Sequence, residues 1–161
     1  MDSAVGPVTD RSAVRAALES LQDRIKAARK QAAAGGRALA VEEARTLAER
    51  QATGDVVGEI NADGDRGALL AALDVIRAKR PESAVMLLSA DRDAGKVTIV
   101  ASVSEARIAA GLKAGDWVRL AASACGGKGG GRPDSAQGGG TQPEKIGEAV
   151  EAARAYAAER E

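Results

Sequence analysis

Eight of the chain's 19 glycines fall between residues 125 and 140, in the run Cys-Gly-Gly-Lys-Gly-Gly-Gly-Arg-Pro-Asp-Ser-Ala-Gln-Gly-Gly-Gly. Glycine forgoes side-chain packing and loses more backbone entropy on folding than any other residue, so such density needs a structural reason. The segment reads as an ordered, ligand-facing loop with left-handed φ values and a backbone that comes very close to something. Its successive N–H groups would form an anion-binding nest, with Lys128 and Arg132 adding charge beside them. The alternative is a flexible linker, but linkers favour Gly with Ser, whereas Lys, Arg-Pro-Asp and Ala-Gln stand here at separate points. Two phosphate-binding motifs are excluded. A Walker-type loop needs Ser or Thr after its Lys and a strand before it; here Gly129 follows Lys128, and a helix is expected upstream. A GxGxxG motif counted from Gly127 meets Arg132 at its last glycine position.

The remaining composition narrows the function classes. The 161 residues carry 23 Lys plus Arg against 23 Asp plus Glu. Without excess cations, bulk electrostatic binding of nucleic acid is disfavoured, and any such contact has to be local and shape-driven. The chain has no histidine, which removes imidazole bases, His–zinc sites and every Ser-His or Cys-His nucleophile. Its single cysteine, Cys125, excludes an internal disulfide and any multi-cysteine metal site. Cys125 and Asp134 are the only candidates for an enzyme reading; a buried core thiol and a turn aspartate after Pro133 are favoured instead. No catalytic residue, metal or cofactor is expected. The aromatics are Trp117 and Tyr156, with no Phe, too few for a base-stacking surface on single strands. Trp117 is read as a core anchor. No run of about 18 apolar residues exists to span a membrane, and the start lacks the regions of a signal peptide. A soluble, cytoplasmic protein is expected.

The chain divides at a change of pattern. The first 9 residues read as a frayed arm broken at Gly6-Pro7, and Asp10 as the N-cap of a first helix. Val14, Leu18, Leu21, Ile25, Ala28 and Ala32 then alternate spacings of four and three, a seam for pairing with another helix. Lys26, Arg29 and Lys30 suit the end of that helix, as phosphate contacts or simply as a solvated surface. Gly35-Gly36 is expected to end it. A second helix over about 38–52, with Ala40, Ala44, Leu47 and Gln51 on one face, either completes an antiparallel hairpin or caps the globular part. The division is therefore 1–53, a helical arm and dimerisation candidate, and 54–161, a globular domain. The latter is α/β (α+β) in class. Val56, Val57 and Ile60 predict a strand, residues 61–65 a turn, and Leu69 to about Lys79 a helix stopped by Pro81. Val85–Leu88 and Val97–Val103 predict two strands joined by a turn at 91–95. Helices are expected after Ser104, over about 116–125, and over about 144–160. The expected architecture is a small sheet of roughly three strands packed with helices, plus the glycine-rich loop.

The stretch from Gly126 to Gly140 resembles the glycine-rich signature of the C-terminal domain of alanyl-tRNA synthetase, a domain type that also follows the catalytic domain of DHH-family phosphoesterases. Lys96-Val-Thr-Ile-Val-Ala-Ser-Val-Ser104, Lys113-Ala-Gly-Asp-Trp-Val118 and Thr141-Gln-Pro-Glu-Lys-Ile146 extend the resemblance to residues 53–150. The helices before it resemble the arm leading into that domain. Ser135 departs from the methionine common in the synthetase loop. Lys128 stands where the phosphoesterases typically have a histidine, favouring the synthetase side; neither the phosphoesterase metal ligands nor the synthetase catalytic and editing residues have counterparts. The resemblance implies a non-catalytic module that binds the elbow of tRNA-Ala, supports aminoacylation and editing, and contributes to dimerisation. Carried onto this chain, the tRNA-facing residues are Gly126, Gly127, Lys128, Gly129, Gly130, Gly131, Arg132, Gln137, Gly138, Gly139 and Gly140; Gln137 either donates to a ribose or fixes the loop. The dimerisation residues are Val14, Leu18, Leu21 and Ile25. Partners are tRNA, a second copy and the remaining synthetase domains, with no membrane and no metal. The rival readings are an assembly module without RNA affinity of its own, in which the Val14 to Ala32 seam makes the functional contact and the glycine loop only packs helices closely, and the RNA-binding domain of a DHH-type phosphoesterase relative.

Overall fold

The computed structural model describes residues 6–51 and 54–160, those of 6–11 and 32–34 by backbone only. The chain forms two compact units, residues 1–35 and 36–161. A single helix, α1 (Gly6–Arg50), accounts for the described part of the first unit and opens the second. This corrects three expectations. Pro7 lies in the first turn of α1 rather than breaking the chain, as proline can where no intrahelical N–H is required. Asp10 lies inside the helix instead of capping it. Gly35-Gly36 does not end the helix; two glycines cost about 1 kcal/mol each relative to alanine, and the alanine-rich sequence on both sides propagates helix through them. In the first unit Val14, Leu18, Leu21 and Ile25 are 50–57% exposed; Ala28 is exposed as well, and the side chain of Ala32 lies outside those described.

The second unit is a three-layer sandwich. Its strands are β1 (Val56–Glu59), β2 (Val85–Asp91), β3 (Lys96–Ser102), β4 (Lys128–Gly131) and β5 (Ser135–Gly140). They form one sheet in the order β1-β2-β3-β5-β4. β1 and β2 are parallel, joined over α2 (Arg66–Lys79), and every other neighbour is antiparallel. Met86 and Leu88 of β2 face a core with α4 (Ala114–Ala124) and α5 (Ile146–Ala158). Val85 and Leu87 face the other, with α2 and with Ala40, Ala44 and Ala48 of α1. A strand covered on both sides cannot alternate apolar with polar residues, which is why this run reads as continuously apolar. The C-terminal part of α1 thus caps the globular part, one of the two expectations for it. Gln51 completes the cap: its side-chain amide donates to the Val57 carbonyl at 2.9 Å and accepts from the Val57 N–H at 3.1 Å, acting as a strand partner along the edge of β1.

Five strands, where about three were expected, come from the glycine run. It is a β-hairpin, not a loop: β4 and β5 pair from Lys128↔Gly139 to Gly131↔Ala136, and β5 pairs β3 from Val97↔Gly140 to Ser102↔Ser135. Extended backbone points successive N–H groups to opposite sides, so they do not converge as a nest. Close approach is the reason for the glycines. A Cβ on Gly127 would lie 1.7 Å from the Gly139 carbonyl oxygen, and on Gly129 or Gly138 within 2.7 Å of the Val118 Cγ1 methyl of α4. The short helix α3 (Glu105–Ala109) is capped by Ser104, and a 3-10 turn, Pro143–Lys145, leads into α5. Arg107 of α3 and Asp55 form a buried ion pair, 15% and 5% exposed. Asp55 Oδ1 also accepts from the Ala84 N–H, while the guanidinium donates to the carbonyls of Ala157 and Arg160, fastening the sheet edge to the end of α5.

Candidate functional site

Alternation along the strands decides which residues of the hairpin share a face. Val100 faces the core beneath α2 and stands across from Gln137. Residues two apart share a face of the sheet. Lys96 and Thr98 of β3, Gln137 and Gly139 of β5, and Lys128 of β4 therefore lie on the α2 side. α2 and α1 cover that side over β1, β2 and β3. Over β5 and β4 it is open, and a recess of about 560 Å³ lies there, lined by Arg66, Lys96, Val97, Thr98, Gly127, Lys128, Gln137, Gly138, Gly139, Gly140 and Thr141.

Arg66 reaches this recess from the first turn of α2. Asp65 caps that helix, its Oδ1 accepting from the Gly67 N–H at 2.9 Å. From this fixed turn Arg66 Nη1 donates to Gln137 Oε1 at 2.8 Å, across 71 residues of sequence. Gln137 thus holds an arginine as well as lining the recess. No carboxylate lines the recess, and among the described residues none of Arg66, Lys96 and Lys128 is in an ion pair. A chain of zero net charge thereby concentrates three cations at one place.

Nine of the eleven residues expected to face tRNA line one or the other of two recesses. Gly127, Lys128, Gln137, Gly138, Gly139 and Gly140 line the recess. Arg132 lies at the far end of β4, about 13 Å from Lys128 at the usual strand rise, and with Gly130, Gly131 and Gln137 it lines a smaller recess of about 320 Å³. Gly126 closes α4 with a φ of 73°, and Gly129 faces α4. Arg66, Lys96 and Thr98 went unassigned in the sequence because they lie outside the glycine run; only the strand register and the helix cap bring them to it.

Of the remaining candidates, Trp117 and Cys125 belong to the core. Trp117 is fully buried, its Nε1 donating to the Ala153 carbonyl at 2.8 Å. Cys125 is buried against Gly140, and its burial pushes the thiol pKa above the ordinary value. Asp134 is exposed in the turn between β4 and β5. Among the described residues no acidic, cysteine or histidine group is arranged to hold a metal ion, and no helix is long and apolar enough to cross a membrane.

The DHHA1 domain family matches residues 53–159. The chain is 42% identical over 118 residues to the cytoplasmic alanine–tRNA ligase of Drosophila melanogaster, which covers 73% of this chain and 12% of that protein. It is 37% identical over 139 residues to the alanine–tRNA ligase of Synechococcus elongatus, covering 84% of this chain and 16% of that protein. The chain thus spans a small part of the length of these ligases. The crystal structure of the C-Ala domain from Aquifex aeolicus alanyl-tRNA synthetase matches with a TM-score of 0.50 and 32% identity, over 58% of this chain and 81% of that one. With a five-stranded sheet, a glycine hairpin under α4 and these relatives, the chain belongs to the DHHA1 domain family, on the side of the C-terminal domain of alanyl-tRNA synthetase.

Proposed function

We propose that this chain is a tRNA-binding module of the alanine–tRNA ligase kind, without chemistry of its own, working in the cytoplasm. It would hold the elbow of tRNA-Ala against the glycine hairpin and so support aminoacylation and editing by other domains. The observation that carries this reading is the carboxylate-free recess, where Lys128 and Gln137 meet Arg66 and Lys96 over the backbone of Gly138–Gly140. Cations on a side-chain-poor surface suit folded RNA, which is recognised largely through shape and phosphates. A net charge of zero implies weak binding by the module alone, strengthened when other modules grip the same tRNA.

The test is a fluorescence titration of tRNA-Ala with the wild type and a Lys128→Glu/Arg132→Glu variant at two salt concentrations. The wild type is expected to bind, more weakly at high salt, and the variant to lose about tenfold or more. Equal binding by both proteins would sink the proposal. A second reading, assembly, is favoured by the exposed stripe of Val14, Leu18, Leu21 and Ile25. Their spacing along α1 matches a helix-pairing seam, whose natural occupant is the same helix of a second copy.

A further inference from the structure

We infer that the recess over β5 is a seat for one phosphate group, held jointly by Arg66, Lys96 and Lys128 with Gln137 as the latch that fixes Arg66. This rests on reading the hairpin as a phosphate-facing surface. It goes further in assigning two cations from outside the glycine run and one ligand chemistry.

The charges argue first. The three cations come from three separate elements: the first turn of α2, the start of β3 and the start of β4. Asp91 stands directly across from Lys96 in the ladder, yet its Oδ1 accepts from the Ala94 N–H at 3.0 Å. Like charges gathered in a recess repel one another and focus a field that draws in an anion. The donors argue next. Thr98 donates its hydroxyl proton to the Gly64 carbonyl at 2.9 Å, and Thr141 donates to the Gly126 carbonyl at 3.1 Å. β5 is bordered by a strand on each side, so its amides serve the ladders. The donors left for a ligand are the three cations and Gln137 Nε2, whose partner oxygen is already held by Arg66. That set suits a multiply charged oxyanion. A guanidinium held in place by a side-chain acceptor is also pre-organised for bidentate contact with phosphate. Gly139, between Thr98 and Lys128 in the ladder, places no side chain in the way.

An RNA backbone and a free phosphate present the same group, and the experiment separates the two. The full chain, labelled with ¹⁵N, is titrated with inorganic phosphate while the amides of Gly138, Gly139, Gly140 and Thr141 are followed. Saturable shifts confined to the recess are expected. The half-saturating concentration should rise about tenfold or more in Arg66→Ala and in Lys96→Ala, the size of one charge-assisted hydrogen bond, and stay unchanged in Arg77→Ala, in the last turn of α2 and away from the recess. Gln137→Met should raise it less. All four positions are exposed, so the spectra of the variants should otherwise match the wild type. Drifting or scattered shifts, or saturation indifferent to Arg66→Ala and Lys96→Ala, overturn the seat. Adding tRNA-Ala then identifies the source: displacement of phosphate assigns the seat to RNA, and continued phosphate binding assigns it to a free phosphate, the seat standing in both cases. A phosphate seat without tRNA binding refutes the proposed function alone. Binding of tRNA without a phosphate seat refutes this inference alone.

Discussion

At the scale of single residues, the glycines divide by what a methyl group would meet. Gly127 leaves 1.7 Å between an added Cβ and the Gly139 carbonyl oxygen, which is backbone and unable to move aside. Gly127→Ala is therefore expected to destabilise the chain by about 3 kcal/mol, at the top of the usual range for overpacking. Gly95 has nothing within 4 Å of an added Cβ, and only its φ of 65° resists substitution, so Gly95→Ala should cost about 1 kcal/mol. Urea denaturation of the two variants checks the contrast, and similar losses would mean that conformation, not contact, sets the glycine requirement. The sequence reading foresaw that the glycine backbone must approach something closely. In the fold, α4 and the hairpin itself are those close neighbours. Glycine carries no pattern from which strand register is read, and its β-propensity is low, so the hairpin was hidden in the feature that most marked it. The burial of Trp117 and Cys125 was legible, because an indole and an unpaired thiol in an apolar helix have few other places to go.

Elements with side-chain periodicity were readable, and the joints between them were not. The strands at Val56 and Val85, the helix from Arg66 to Lys79 and the turn at 91–95 all stand where hydrophobic spacing and turn residues put them. The pairing of Asp55 with Arg107 is silent in the sequence, being made by two charged residues far apart in the chain. It closes a joint between the sheet edge, α3 and the end of α5. Because both groups are largely buried, Arg107→Ala leaves a carboxylate without its counter-charge and should cost about 3–5 kcal/mol. A shift of the urea midpoint at pH 7 measures this. A loss under about 1 kcal/mol would mean that water reaches Asp55 and the joint is loose. The recess follows the same rule: Lys128 and Gln137 lie in the conspicuous segment, while Arg66 and Lys96 join them only through the cap of α2 and the register of β3.

On the scale of the whole molecule, every buried apolar side chain among the described residues lies at Ala40 or later, and the exposed apolar stripe lies at Ile25 or earlier. Folding and self-association are therefore expected to be separable. Leu18→Asp/Ile25→Asp should lower the sedimenting mass of an oligomer to that of one chain and leave the thermal midpoint of the globular unit within a few degrees. If the mass is unchanged, α1 is not the assembly element. The stripe was legible as one face of a helix, because a period of three and four shows in the letters themselves; its place on one uninterrupted helix was not, because Gly35-Gly36 has the same spelling as a helix stop. The glycine hairpin has a consequence for how such a module changes over time. Where a surface is made of main chain, mutation can only add atoms to it, never trim or reshape it. Its partner preference is then adjustable only from the margins, through the cations and the amide at its rim.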